Sequence, residues 1–373
     1  MPIVYDLKID LENVDFSYGE APTNATWVAD ESGAVAAITF DSEALVLGKG
    51  PALTDPTVLT FSPFIQMAQM FRDILAYKAE LSEQLTVIRH RNEVGRLFTH
   101  IENQNWDLVR AELTALGCPD DTVDAAELRH RVQCLIGETQ HLIIRRHESA
   151  TSNVESLFRR ALTLAKSETK AFFVEYMSSG RLRQLWHQFA KARNDFTASA
   201  PAMIPLLQVK HWKVPPASLA DCQLLNKQFE ALKALYIDCF ETLARVSVVL
   251  IALHGLGAVG RTDVTTKLGS MDIWEFEKIA NANKGPHLGK ASDCAFLVPY
   301  LDTTLRNGIG HNSARYDAAT DQVLLYKQRG ANLEETSLSY TEFASKVLDV
   351  GSLLLELNLV AFWLVEANNG RVF

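Results

Sequence analysis

Cysteine is scarce in this sequence and shows no pattern. Five occur in 373 residues (Cys118, Cys134, Cys222, Cys239 and Cys294), an odd number with no C-x-x-C pair. That argues against a disulfide framework, a zinc knuckle and a redox dithiol, and leaves small buried hydrophobes. Long apolar runs are missing too. No stretch reaches the ~18 uncharged apolar residues of a membrane span. Val246–Gly260 is too short and broken by His254, and Leu353–Val365 is interrupted by Glu356 and Asn358. The start, MPIVYDLKID, lacks the basic-then-apolar pattern of a secretory signal. A soluble, cytoplasmic protein with no membrane partner is expected. The sequence has no Walker A loop, G-x-S-x-G elbow, H-E-x-x-H helix or EF-hand loop. It also lacks any Asp, Glu, His or Cys cluster with metal-ligand spacing, so neither a metal nor an organic cofactor is expected.

Basic charge is in deficit, 36 Lys and Arg against 45 Asp and Glu, for a net charge of −9. The apolar share of 47% and charged share of 22% are nevertheless ordinary for a globular chain and exclude disorder. The acidity is uneven. Residues 1–60 hold 2 basic and 10 acidic side chains, whereas His141 to Arg193 holds ten basic residues and four glutamates. Phosphate contacts depend on local patches, so an acidic total does not exclude a nucleic-acid partner. The alternative is that Arg145, Arg146, Arg159, Arg160, Arg181 and Arg183 form a solvated helix face.

Periodicity divides the chain. Residues 1–60 read as a small acidic β-rich segment: Tyr5, Leu7, Ile9 and Leu11 alternate with polar residues, and ATWVADESGAVAAITF reads as two strands around Asp30–Gly33. Residues 61–200 are helical, with apolar positions in three- and four-residue steps over Ile65–Ile88, Trp106–Leu116, Ala125–His147, Val154–Met177 and Leu182–Phe196. Pro201, Pro205, Pro215 and Pro216 mark 201–220 as a linker and the main domain boundary. Residues 221–373 read as a helical bundle: a long helix from Cys222 to about His254, shorter ones over Trp274–Ala280 and Cys294–Leu305, a hairpin in ARYDAATDQVLLYK, and a last helix over Thr341–Ala367. The expected class is mainly α.

Gly255-Leu256-Gly257-Ala258-Val259-Gly260 matches the dinucleotide fingerprint G-x-G-x-x-G. That site needs a strand, a turn and a helix N-terminus facing the pyrophosphate. Here the helical pattern runs unbroken through Leu253, so the glycines are expected to end a helix.

Leu305-Arg306-Asn307-Gly308-Ile309-Gly310-His311 is different. Arg followed by His after four to six residues is expected about 1.6 times by chance in this composition, but with Asn directly after Arg only about 0.07 times. Arg306 meets the stricter pattern. The other pair, Arg181 and His187, does not, because Leu182 follows Arg181. The residue types suit RNA cleavage without metal. His311 can give or take a proton near neutrality, and Arg306 offers a permanently charged fork to phosphate oxygens. At about 100° per residue, Asn307 and His311 share a helix face while Arg306 lies about 140° around from His311. The alternative is that Arg306 and His311 merely cap and solvate a helix start.

Over residues 221–373 the chain resembles the HEPN domains, helical bundles of toxin–antitoxin, abortive-infection and RNA-targeting CRISPR proteins. Their signature, R-N-x-x-x-H near the start of a late helix, is matched by Arg306, Asn307 and His311. The resemblance implies a metal-independent endoribonuclease acting as a toxin or antiviral defence effector. It implies Arg306 and His311 as catalytic residues, Asn307 orienting them, and a composite site built by a homodimer. It further implies RNA as the substrate and an antitoxin or phage-derived trigger as a possible partner. A polar, often acidic residue on an earlier helix is a family feature, for which Asp238 and Glu241 are the candidates; both also suit structural ion pairs. The alternative function is a non-catalytic HEPN-like module that binds nucleotide or a protein partner.

Overall fold

The computed structural model describes residues 7–10, 15–18, 45–46, 91–117, 127–128, 131–132, 148–211, 223–224, 227–266, 269–310, 313–329 and 332–368. These are 77% helical with one small three-stranded sheet, a mainly α fold. Near the start, β1 (Leu7–Asp10) pairs antiparallel with β2 (Asp15–Tyr18), and β3 (Leu45–Val46) with β4 (Gln223–Leu224). The expected strands over 25–40, and the helix over Ile65–Ile88, lie outside the described residues, as does most of the helix over Ala125–His147.

Two short antiparallel helices, α1 (Arg91–Glu102) and α2 (Trp106–Ala115), precede the core. They are tied by Arg96 to Glu112, with Nη2 to Oε2 at 2.9 Å. Then follow α3 (Glu148–Leu164), α4 (Lys166–Ser178) and α5 (Arg181–His211). The single helix expected over Val154–Met177 is broken at Ala165, whose φ of −140° leaves the helical region. Thr169 fastens the break by donating its hydroxyl to the Ala161 carbonyl at 3.0 Å.

Helix α5 corrects the first half of the linker expected over 201–220, to residue 211; residues 212–220 lie outside the described residues. It passes through Pro201 and Pro205 to His211, although each proline removes one backbone hydrogen bond. Burial explains the difference: Ala202, Met203 and Leu206 are at most 1% exposed, and their burial outweighs the local cost.

Helix α6 (Phe229–Val259) is the centre of the molecule. It packs against α3, α5 and the last helix, α9 (Tyr340–Asn368), and α5 and α9 also pack on each other. The four form one bundle, so the bundle expected over 221–373 takes α3 and α5 from the middle of the chain. By length and composition α6 could cross a membrane, but 78% of its most apolar window is buried against protein, as befits a helix apolar on every face. Its close neighbours need glycine. A β-carbon on Gly351 of α9 would lie 2.4 Å from the ring of Phe196 in α5, and one on Gly257 would lie 3.1 Å from Arg160 Cβ in α3. Gly260 ends α6 in the left-handed conformation with φ of 75°, so the G-x-G-x-x-G run is the end of a helix.

Beyond α6 come a hairpin of β5 (Val264–Thr266) and β6 (Gly269–Met271), α7 (Ile273–Lys278), a 3-10 stretch Ser292–Tyr300 and α8 (Thr303–Gly310). The helix expected over Cys294–Leu305 is thus two pieces separated by Leu301 and Asp302. The expected hairpin is β7 (Ala314–Asp317) with β8 (Gln322–Arg329), extended by an unforeseen third strand, β9 (Asn332–Ser339). A reciprocal cap then starts α9: Ser339 N donates to Glu342 Oε2 at 2.9 Å, and Glu342 N to Ser339 Oγ at 3.1 Å.

Candidate active site

The site rests on α8, a short helix held from both ends. Asp302 caps it, accepting from Leu305 N at 3.0 Å. The Asp302 carbonyl accepts from Tyr236 Oη of α6 at 3.3 Å, and its other carboxylate oxygen accepts from Lys346 Nζ of α9 at 3.1 Å. At the far end, Ser313 returns to Gly308, with both N and Oγ 2.9 Å from that carbonyl. Leu305 and Ile309 are buried beneath. Gly308 lets α8 lie flat on β8, since a β-carbon there would be 3.0 Å from Leu325 Cδ2.

Arg306 leaves α8 towards α6. Its Nε and Nη2 both donate to Glu241 Oε1, at 3.0 and 2.7 Å. The second carboxylate oxygen of Glu241 accepts from the Asn281 side chain. The pair is half-buried, with the two side chains 28% and 27% exposed. Nη1, on the other edge of the guanidinium, lies 3.4 Å from Asn307 Oδ1 and 3.4 Å from where a β-carbon on Gly310 would stand. Gly310 therefore leaves space beside the cation. Asn307 is exposed next to it. His311 lies outside the described residues.

Of the two acidic candidates on α6, Glu241 joins Arg306 and Asp238 does not. Asp238 binds Lys191 of α5, which also reaches Asp195 at 2.9 Å. Two contributors are absent from any motif: Asn281, and Lys284 on the same segment. Lys284 is only 1% exposed, donates to the Ala244 carbonyl at 3.2 Å and lies 5.6 Å from the Phe276 ring centroid. Burial pulls its ammonium down to about 8, against the opposing pull of Glu277 and Glu241. A loop reading A-N-A-N-K carries no periodic signal that could have revealed either residue.

Other chemistry-bearing residues serve packing. Cys239 and Cys294 are buried, and burial raises both thiols, Cys294 to about 12, so neither is a ready nucleophile. His254 Nδ1 lies 2.7 Å from Asp293 Oδ2, which also takes Arg160, tying α6, the 3-10 stretch and α3 together. Thirteen residues along α6 from Glu241, about 20 Å, this cluster is remote from Arg306. Arg181 pairs with Glu277 at 2.8 Å and covers the Trp274 ring at 4.2 Å. Among the described residues no three His, Cys, Asp or Glu side chains gather as a metal site.

The arrangement presents one edge of a fixed guanidinium beside an exposed amide, in the middle of a short helix on the bundle surface. Comparison of the chain with protein-family models, curated proteins and solved structures gives no match.

Proposed function

We propose that this protein is a HEPN-type endoribonuclease of the cytoplasm, a toxin or antiviral defence effector that needs no metal ion. The observation that carries the reading is the pairing of Arg306 with Glu241. It engages Nε and Nη2 and leaves the Nη1 edge, flanked by Asn307 and Gly310, for a phosphate oxygen.

On this reading His311 takes the proton from the ribose 2′-hydroxyl, and that oxygen attacks the adjacent phosphorus. The bond to the 5′-oxygen breaks, and the leaving oxygen takes a proton from His311 of a second copy. Arg306 holds the crowded phosphate as its charge grows, and Asn307 orients the cation or the phosphate. The products are a 2′,3′-cyclic phosphate and a 5′-hydroxyl. An antitoxin, or a phage-derived trigger, would restrain or release the activity.

The pairing also favours a second reading. Glu241 satisfies most of the Arg306 fork, as it would in a structural tie between α8 and α6 within a non-catalytic module that binds nucleotide or protein. Incubating total RNA with the protein in excess EDTA separates the two. The first reading expects cleavage to cyclic-phosphate ends, with DNA and 2′-O-methyl RNA spared. Products with 3′-hydroxyl ends, or activity lost to chelation and restored by magnesium, would refute the mechanism; no cleavage at all would favour the second reading.

A further inference from the structure

We propose that the cleft along α5 is the track that leads single-stranded RNA to Arg306, an inference that rests on the ribonuclease reading above. The cleft is shallow and open to solvent, has a volume of about 400 Å³ and is lined by Gly180, Arg183, Gln184, His187, Gln188 and Lys191. Arg183, His187 and Lys191 recur every four residues, which puts them on one helix face in steps of about 6 Å. Gln184 and Gln188 add amide donors between them. No carboxylate and no apolar side chain is among the lining residues, whose walls are alkyl stems with cationic or amide heads.

The cleft shares a frame with the candidate site. At one end Lys191 binds Asp238, three residues before Glu241 on α6 and therefore about 5 Å along the axis from the residue that grips Arg306. At the other end Arg181, on Glu277 and over Trp274, fixes the first turn of α5. From Glu277 the chain runs four residues to Asn281, which returns to Glu241. Two independent ties thus set the cleft beside the arginine. Lys191 serves as one tie, and Arg183 and His187, both exposed, line the same face of the cleft.

The lining favours a phosphate backbone over a protein. Arg, Lys, Gln and similar polar side chains make most phosphate and sugar contacts. Protein docking surfaces are instead centred on buried aromatic and other apolar anchors, of which this cleft has none. Basic and amide side chains at a regular spacing suit a chain whose charge repeats at every nucleotide, and such binding is sequence-tolerant and salt-dependent.

The test uses the full chain and fluorescent 2′-O-methyl oligonucleotides of four and twelve nucleotides, read by anisotropy from low to high salt. The wild type should bind the longer strand more tightly. Arg183→Gln with His187→Ala should weaken binding of the twelve-mer about tenfold or more and abolish its advantage over the four-mer. Losing one Arg–phosphate contact should make the salt slope shallower by about 0.7. Arg183→Gln alone, an exposed substitution with little reach into the core, guards against misfolding of the double variant and should show the same slope change. An unchanged affinity and slope in both variants, while Arg306→Ala abolishes cleavage, would overturn the track and leave the ribonuclease reading standing. A wild type that neither binds nor cleaves RNA would remove the reading and the track together. Tighter binding of a polyglutamate peptide than of the twelve-mer, lost in the same variants, would reassign the cleft to an acidic protein partner.

Discussion

Arg306 and Glu241 meet at a single oxygen. Both Nε and Nη2 of the arginine donate to Oε1, which leaves Oε2 for Asn281. The carboxylate fixes the arginine without covering its outer edge, and positioning is what its loss should expose. Glu241→Ala should lower kcat on RNA by on the order of ten- to a hundredfold without raising KM, because the loosened guanidinium can still attract phosphate. Stability should fall by about 1 kcal/mol or less, since the pair is partly solvated. Steady-state kinetics with thermal melts checks this; a raised KM with unchanged kcat would contradict it.

Arg306→Ala and His311→Ala should each abolish cleavage and any growth inhibition on expression. Arg306→Ala should change stability by no more than about 1 kcal/mol, as a partly solvated ion pair contributes little to the core. Retained cleavage in both variants would end the assignment, and unfolding of both would make the residues structural.

On the ribonuclease reading, light scattering of the purified chain should give about twice 41.5 kDa, because one copy offers one arginine and one histidine to a reaction that would need two proton transfers. In mixed dimers carrying Arg306→Ala on one side, activity should fall well below half. A strict monomer with full activity at micromolar concentration would contradict the composite site.

Lys284 makes a stability prediction with a definite sign. Its ammonium titrates at about 8 when folded, against about 10.4 when unfolded, so between those values the unfolded chain holds more protons and stability rises with pH. At neutral pH the buried charge costs roughly 3 kcal/mol. Lys284→Met should therefore raise stability near pH 7, and the gap to wild type should close by about pH 10.4. Denaturant melts of both proteins across this range read the difference directly. A gap that is constant with pH would mean the group does not titrate there.

Gly351→Ala tests the contact between α9 and α5. The added methyl would stand 2.4 Å from the Phe196 ring, which is fully buried and has no space to retreat. A loss of about 1–3 kcal/mol in denaturant melts is expected. An unchanged midpoint would mean that α5 is not locked into the core.

Much of this architecture was legible in the sequence, where local pattern and final environment agree. Phe229, Leu232, Leu235, Tyr236, Cys239, Leu243 and Val246 keep one face of α6 in the sequence and are all buried, and Ser339-Tyr340-Thr341-Glu342 is a capping sequence that forms that cap. Pro201 and Pro205 misled because their local effect is unfavourable, whereas the burial that overrides it is set by partners distant in sequence. Strand β9 was hidden because Glu334, Glu335, Thr336 and Ser337 are exposed, so no alternation marks it; pairing with β8 recruits it. Around Arg306, its neighbour Asn307 and, as one of two acidic candidates, Glu241 could be singled out in the sequence. Asn281 and Lys284 could not, since only the folded path from α7 to α8 brings them beside Glu241.

On the ribonuclease reading, the merging of α3 and α5 with α6 and α9 has a consequence for how the activity would be controlled. The arginine motif has no autonomous domain. Cutting the chain at residue 221 would strip two of the four helices from the bundle and open the faces of α6 and α9 to water. Lys191–Asp238 ties α5 to α6 one turn before Glu241, and Arg181–Glu277 ties it to α7. If the ribonuclease reading and the RNA track hold, a regulator seated on residues 181–191 would act by occupying the approach to Arg306, as a gate does.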